Sequence, residues 1–183
     1  MCGIFGYVGN RHNAAQIVLD GLKTLEYRGY DSWGVATQKA NKLSVEKHIG
    51  KIGGATLKQG SNINKSQIAI GHTRWATHGG VTDTNAHPHL DCTEQIAVLH
   101  NGIIENYLDL KKGLLAKGHK FFSETDTEIL PHLIEDFMKH NSFQKSVVKT
   151  FKLLKGLNAI VAIDTKNDQI IAAKNGSPLI AGI

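Results

Sequence analysis

Two periodicities divide this chain into blocks. Period-two or continuously β-branched runs cover residues 3–8, 33–38, 43–48, 67–72 and 95–100, and again 158–164 and 169–174. Such runs form strands whose side chains alternate between two faces. Apolar residues at i, i+3, i+4 and i+7 mark helices instead: Ala15, Val18, Leu19 and Leu22 within residues 13–27, and Leu130, Leu133, Ile134 and Phe137 farther on. Phe143, Val147, Phe151 and Leu154 form a longer stripe, and residues 105–117 read as a helix stopped by Gly118. Asn13 is placed to cap the first helix. Pro131 requires that its helix begin close before it, because proline lacks the N–H an interior turn needs. Strands and helices are segregated rather than strictly alternating, which predicts an α+β fold with largely antiparallel sheets. Apolar residues on both strand faces predict a layered sandwich.

At 183 residues, with 41% hydrophobic and 20% charged, the chain is sized for one packed domain, residues 1–183. The net charge of +5 invites nucleic acid, but the cations are scattered and the longest basic run is Lys111-Lys112. Lys145, Lys149 and Lys152 share a helical face that reads as solvated, so no nucleic-acid partner is expected. The longest clean apolar runs, residues 96–99 and 159–163, are far short of the roughly 18 residues of a membrane span, and Met1-Cys2-Gly3-Ile4 is no signal peptide. Two cysteines, Cys2 and Cys92, make no disulfide framework, so a reducing, cytoplasmic setting is expected. The apolar stretch at residues 179–183 predicts that the domain is incomplete at its C-terminus.

Four groups of residues can carry chemistry. Removal of Met1 would make Cys2 the N-terminus and place a thiol and an α-amine on one carbon. The amine's reference pKa of about 7.7–8.0 suits a general base at neutral pH, so one residue could supply nucleophile and base; a small residue opening a strand is the plainer reading. His100-Asn101-Gly102 closes a strand run, where Asn-Gly ordinarily makes a hairpin turn. Alternatively, the Asn101 amide and the Gly102 N–H form an oxyanion hole. Residues 71–79, Gly-His-Thr-Arg-Trp-Ala-Thr-His-Gly, are too polar for a mere turn, and Arg74 can clamp a carboxylate. Glu124-Thr125-Asp126-Thr127-Glu128 opens a helix, where capping competes with binding of a ligand's ammonium group. An Arg for a carboxylate and an Asp for an amine are the minimum needed to hold an amino acid. His87, His89 and Cys92, with His72, His78 and His100, offer metal donors, but their spacing fits no compact ligand pattern. No metal and no cofactor are expected.

Taken together, Met1-Cys2-Gly3-Ile4, residues 27–32, 72–79 and 85–89, His100-Asn101-Gly102 with the four residues after it, and residues 123–128 resemble the class II glutamine amidotransferase domain. The wording around Arg28 and Arg74 is similar to that of the glutaminase domains of glucosamine-6-phosphate synthases. The resemblance covers essentially the whole chain. It implies an N-terminal-nucleophile αββα four-layer sandwich in which Cys2 attacks the glutamine carboxamide and forms a thioester. It implies that Asn101 and Gly102 hold the oxyanion and that Arg28 positions the nucleophile's end of the site. Arg74 would bind the substrate carboxylate and Asp126 its ammonium, with Trp75, Thr77 and His78 closing the pocket. L-glutamine is the implied substrate. The implied partner is a sugar-isomerase domain, absent here, that aminates fructose 6-phosphate within a full-length homodimer. Two positions depart from the family's wording: Trp33, where a small residue is usual, and Pro131, which threatens the helix presenting Asp126. A catalytically silent glutamine-binding module and a metal-binding protein are the competing readings.

Overall fold

The apolar stripe of Ala15, Val18, Leu19 and Leu22 is fully buried along helix α1, Ala14–Thr24, which is what the spacing requires of a helix lying on a sheet. A computed structural model describes residues 2–58 and 62–182 of the protein; Met1 and Ile183 lie outside them. The first sheet contains β1 (Gly3–Val8), β2 (Ser32–Lys39), β3 (Lys42–Ile49) and β4 (Ile68–Arg74) in the order β1-β4-β2-β3. The second contains β5 (His89–Leu90), β6 (Ile96–Gly102), β7 (Asn158–Asp164) and β8 (Ile171–Asn175), in sequential order. Every strand pairing in both sheets is antiparallel. Helices α2 (Tyr107–Ala116), α3 (Ile129–Met138) and α4 (Phe143–Leu153) form the layer on the second sheet.

Side-chain alternation sorts the core into layers. On β7, Ile160 and Ala162 join the helices α2–α4, while Val161 and Ile163 meet the first sheet. On β6, Ile96 and Val98 face the helices, and Ala97 and Leu99 face the first sheet. Ile68 and Ile70 of β4 return that contact, and Ala69 between them packs toward α1. The result is the αββα sandwich that the blocks of strands and helices implied. Full burial of a side chain such as Leu22 or Leu99 stabilises it by about 1.5–3 kcal/mol relative to exposure. No helix among the described residues is long and apolar enough to cross a membrane.

Several local expectations change. Asn13 makes no side-chain cap; its carbonyl accepts from the Ile17 N–H instead. The first helix ends at Thr24, and a separate 3-10 turn, Glu26–Arg28, carries Arg28 toward the site. The Asn-Gly pair is no hairpin turn: β6 runs through it, with Asn101 opposite Ala159 and Gly102 opposite Asn158. Strand β5, two residues long, gave no periodic signal. Pro131 is the third residue of α3, within the first turn where no intrahelical N–H bond is required, so it fits without displacing the helix. Trp33 is buried against α1, and its ring stacks on His48 at 4.5 Å between centroids. Neither residue disturbs the fold.

Candidate active site

The ends of β4 and β6, the two strands that face each other across the sandwich, open onto a cavity of about 610 Å³. Cys2, Arg28, Arg74, Trp75, Thr77, His78, Asn101, Gly102 and Asp126 all line it. Residues from the chain start, a 3-10 turn, two strand ends and a loop thus share one site because the sheets stack with those ends together.

Cys2 immediately precedes β1. The Trp75 backbone N–H, just past β4, donates to Cys2 Sγ at 3.2 Å, and the Trp75 carbonyl lies 3.5 Å from the same sulfur. Burial pushes the thiol pKa up, and the Trp75 backbone hydrogen bond opposes that rise. The Cys2 carbonyl accepts from Arg28 Nε at 3.2 Å and from Asn101 Nδ2, also at 3.2 Å. The Asn101 amide is therefore held against the main chain of the residue that carries the thiol.

The amide's orientation is fixed from behind. Asn101 Oδ1 faces His72 Nε2 at 2.9 Å, so that nitrogen carries the proton, and the His87 ring meets His72 edge-on with its Nδ1 3.1 and 3.2 Å from the two His72 nitrogens. Burial holds the His72 pKa down at about 3 despite the Asn101 bond, which favours the charged form; burial also holds His87 far below its ordinary value. Both rings are neutral at pH 7. Gly102, next along β6, has φ of +137°, and a Cβ there would stand 2.3 Å from the Leu157 carbonyl oxygen. Only glycine fits this strand end.

Arg74 is buried at the end of β4. Its guanidinium donates to the carbonyls of His78, Gly79 (3.4 Å) and Gly80 (3.0 Å). Of its five N–H donors, three at most serve that loop. The other side of the loop is tied to the loop before α3: Gly80 N–H and Asn85 Nδ2 donate to Glu124 Oε2 at 3.1 and 3.0 Å, and Glu124 N–H returns to Asn85 Oδ1 at 2.9 Å. Tyr30 meets the exposed Trp75 ring edge-on at 5.3 Å, and Asp31 Oδ2 accepts the Ala76 N–H at 2.9 Å. His78 sits edge-on to Tyr107 at 5.9 Å.

Asp126 is buried, and its Oδ2 accepts the Ile104 N–H at 2.8 Å. This carboxylate faces the end of β6 and does not cap a helix. Nor does Glu128 cap one: it accepts from the backbone N–H groups of Phe122 (2.8 Å) and Ser123 (2.7 Å), in the loop that leads into the Asp126–Glu128 turn, and its side chain makes no capping bond to α3. Sequence reasoning weighed His72 and His87 only as metal donors and Glu124 only within the acidic helix opening, and gave no role to Asn85 or Asp31; each acts through a contact distant in the chain. Four of the histidines weighed as metal donors are held by other bonds: His72 and His87 as above, His89 to Thr125 at 3.0 Å, and His100 to Thr127 and Asn158 at 3.0 and 2.9 Å, while buried His78 Nδ1 has no hydrogen-bond partner among the described residues. Cys92 lies outside this cavity.

Residues 72–181, which carry the site from His72 and Arg74 through Asn101 and Gly102 to Asp126, match the glutamine amidotransferase domain family. The chain belongs to that family. This amidotransferase domain is 46% identical over its whole length to the glutamine–fructose-6-phosphate aminotransferase (isomerizing) of Methanococcus maripaludis, and 47% identical to one from Thermus thermophilus. It spans 31% and 30% of those relatives. Among solved structures, the glutamine phosphoribosylpyrophosphate amidotransferase of B. subtilis superposes with a TM-score of 0.77 at 29% identity, over 94% of this chain and 37% of that one. An allosteric regulatory enzyme of purine biosynthesis superposes with a TM-score of 0.75 at 31% identity, over 87% of this chain and 35% of that one. The domain is an α+β amidotransferase of the N-terminal-nucleophile fold.

Proposed function

We propose that this cavity hydrolyses L-glutamine to glutamate and ammonia, with Cys2 as nucleophile. The observation that carries the reading is the pair of donors converging on Cys2: the Trp75 N–H on its sulfur and Asn101 Nδ2 on its carbonyl, both at 3.2 Å. A nucleophile beside a fixed amide donor is the arrangement acyl transfer needs.

With Met1 removed, the Cys2 amine takes the thiol proton, directly or through water. The sulfur attacks the side-chain carbonyl carbon of glutamine, and the oxyanion is held by Asn101 Nδ2 and the Gly102 N–H. The C–N bond breaks, the nitrogen leaves as ammonia with the transferred proton, and a thioester to Cys2 remains. Water then attacks, the C–S bond breaks, and glutamate departs. Arg74 offers its remaining N–H donors to the substrate α-carboxylate while holding the 78–80 loop. Asp126 receives the α-ammonium. Arg28 fixes the Cys2 main chain, and Trp75, Thr77 and His78 close the cavity.

Residues 1–183 act as the glutaminase part of a longer synthase in which ammonia passes to a sugar-isomerase part and aminates fructose 6-phosphate, the full-length protein being a cytoplasmic homodimer. The names of the relatives and the share of their length that this chain spans support the assignment to a longer synthase. The test is glutamate release from glutamine by the purified chain and by Cys2→Ala. Release by the wild type and none by Cys2→Ala supports the proposal. Protection of Cys2 from alkylation by glutamine, without any release, would make the chain a glutamine-binding module instead.

A further inference from the structure

Four donor side chains converge at a place the glutamine cavity does not reach. Cys92 lies in the turn between β5 and β6, His119 in the connection from α2 to α3, and His132 and Glu135 one turn apart on α3. One donor atom from each falls within 4.8 Å of all the others. Cys92 Sγ is 3.6 Å from His119 Nδ1 and 3.4 Å from His132 Nδ1, while Glu135 Oε2 is 3.2 and 3.5 Å from the same two nitrogens. A tetrahedral zinc ion with bonds of about 2.0–2.3 Å has ligand-to-ligand edges of about 3.3–3.6 Å, and these four distances fall on or beside that range. Hydrogen bonding alone accounts poorly for them, because a neutral imidazole Nδ1 carries at most one proton yet each Nδ1 here faces both a sulfur and a carboxylate oxygen.

We propose that Cys92, His119, His132 and Glu135 bind one zinc ion as a structural site. Thiolate and carboxylate together balance the 2+ charge, which suits a site whose two imidazoles are almost wholly buried while Cys92 is open to solvent for entry. One thiolate, two imidazoles and a carboxylate match zinc better than magnesium or calcium, which favour oxygen donors. The outer shell agrees. His119 Nε2 faces Asp136 Oδ1 at 4.0 Å and His132 Nε2 faces Glu128 Oε1 at 3.9 Å, so both imidazoles turn their far nitrogens toward carboxylates. Buried His132 Nε2 has no hydrogen-bond partner among the described residues, and the Phe121 ring lies 4.7 Å from the His132 ring. Four protein ligands leave no open position, so the ion braces rather than catalyses. It would tie the β5–β6 turn and the α2–α3 connection to α3, the helix that begins where the Asp126–Glu128 turn ends. None of the four residues lines the glutamine cavity, so the inference stands apart from the glutaminase reading.

The experiment loads the purified chain with zinc chloride, removes loosely held metal by dialysis, and measures bound zinc per chain. Wild type, Cys2→Ala, Cys92→Ser and Glu135→Gln are compared, and each is also loaded with Co²⁺. One zinc per chain is expected in wild type and Cys2→Ala, with a thiolate-to-cobalt charge-transfer band in the near ultraviolet. Cys92→Ser should lose the band and bind zinc at least tenfold more weakly, and Glu135→Gln should keep the band with weakened binding. Zinc at a hundredfold excess over Kd should raise the wild-type Tm by about 5 °C or more. Substoichiometric zinc in wild type, or a cobalt band that survives Cys92→Ser, overturns the site. Should Cys92→Ser fail to fold, the wild-type cobalt spectrum alone decides: a six-coordinate spectrum without a thiolate band refutes it.

Discussion

His72 Nε2 stands 2.9 Å from Asn101 Oδ1, and this contact determines which end of the Asn101 amide faces Cys2. His72→Leu removes the donor and lets the amide turn. Turnover should fall by on the order of tenfold to a hundredfold with KM nearly unchanged, less than the roughly 10²–10³ expected of Asn101→Ala, which deletes the oxyanion donor itself. Steady-state kinetics on both variants check the order; His72→Leu with wild-type kcat would remove His72 from its positioning role.

Gly102 makes a different demand on the same strand end. A methyl there must escape the Leu157 carbonyl at 2.3 Å, and the backbone must hold φ of +137°, a conformation L-residues rarely adopt. Gly102→Ala should lower unfolding stability by on the order of 1–3 kcal/mol and reduce turnover more than that loss explains, since the strand end must shift. Urea unfolding beside single-turnover kinetics separates the two effects, and a fully stable, fully active Gly102→Ala contradicts the geometry.

Asp126 separates recognition from chemistry. Asp126→Ala should weaken binding of glutamine far more than binding of an amide substrate lacking the α-amine, because only the first carries the ammonium. Equal losses in kcat/KM on the two substrates would show that Asp126 serves the fold, through its bond to the Ile104 N–H, and not the substrate.

Much of this was legible in the sequence. The α1 stripe and the alternating faces of β6 and β7 were readable because burial imposes its period on every residue of a packed element. The Asn101-Gly102 strand end was ambiguous for an equally physical reason: local preference favours a turn there, whereas pairing with Ala159 and Asn158 extends the strand. The backbone N–H of Trp75 on the Cys2 sulfur leaves no trace in a side-chain alphabet. Cys92 meets partners 27 and 40 residues away, beyond any local ligand spacing.

The buried imidazoles set the acid limit of stability. His72 titrates near pH 3 in the folded chain against about 6.5 when unfolded, and burial lowers His87, His89 and His100 in the same direction. Below pH 6.5 these imidazoles therefore bind more protons in the unfolded chain than in the folded one, and the stability they contribute drops as pH falls through that window and is constant above it. Each such histidine contributes up to about 1.4 kcal/mol per pH unit. The urea midpoint should be lower at pH 5 than at pH 7.5; equal midpoints would mean that the imidazoles are not held neutral.

The most direct test of the account is the intact mass of the purified chain before and after exposure to an electrophilic glutamine analogue, followed by peptide mapping. The account predicts loss of Met1 and a single adduct on Cys2, blocked by excess glutamine, with Cys92 unmodified. An unmodified Cys2, or an adduct that forms equally in the presence of glutamine, would contradict Cys2 as the nucleophile of a glutamine site.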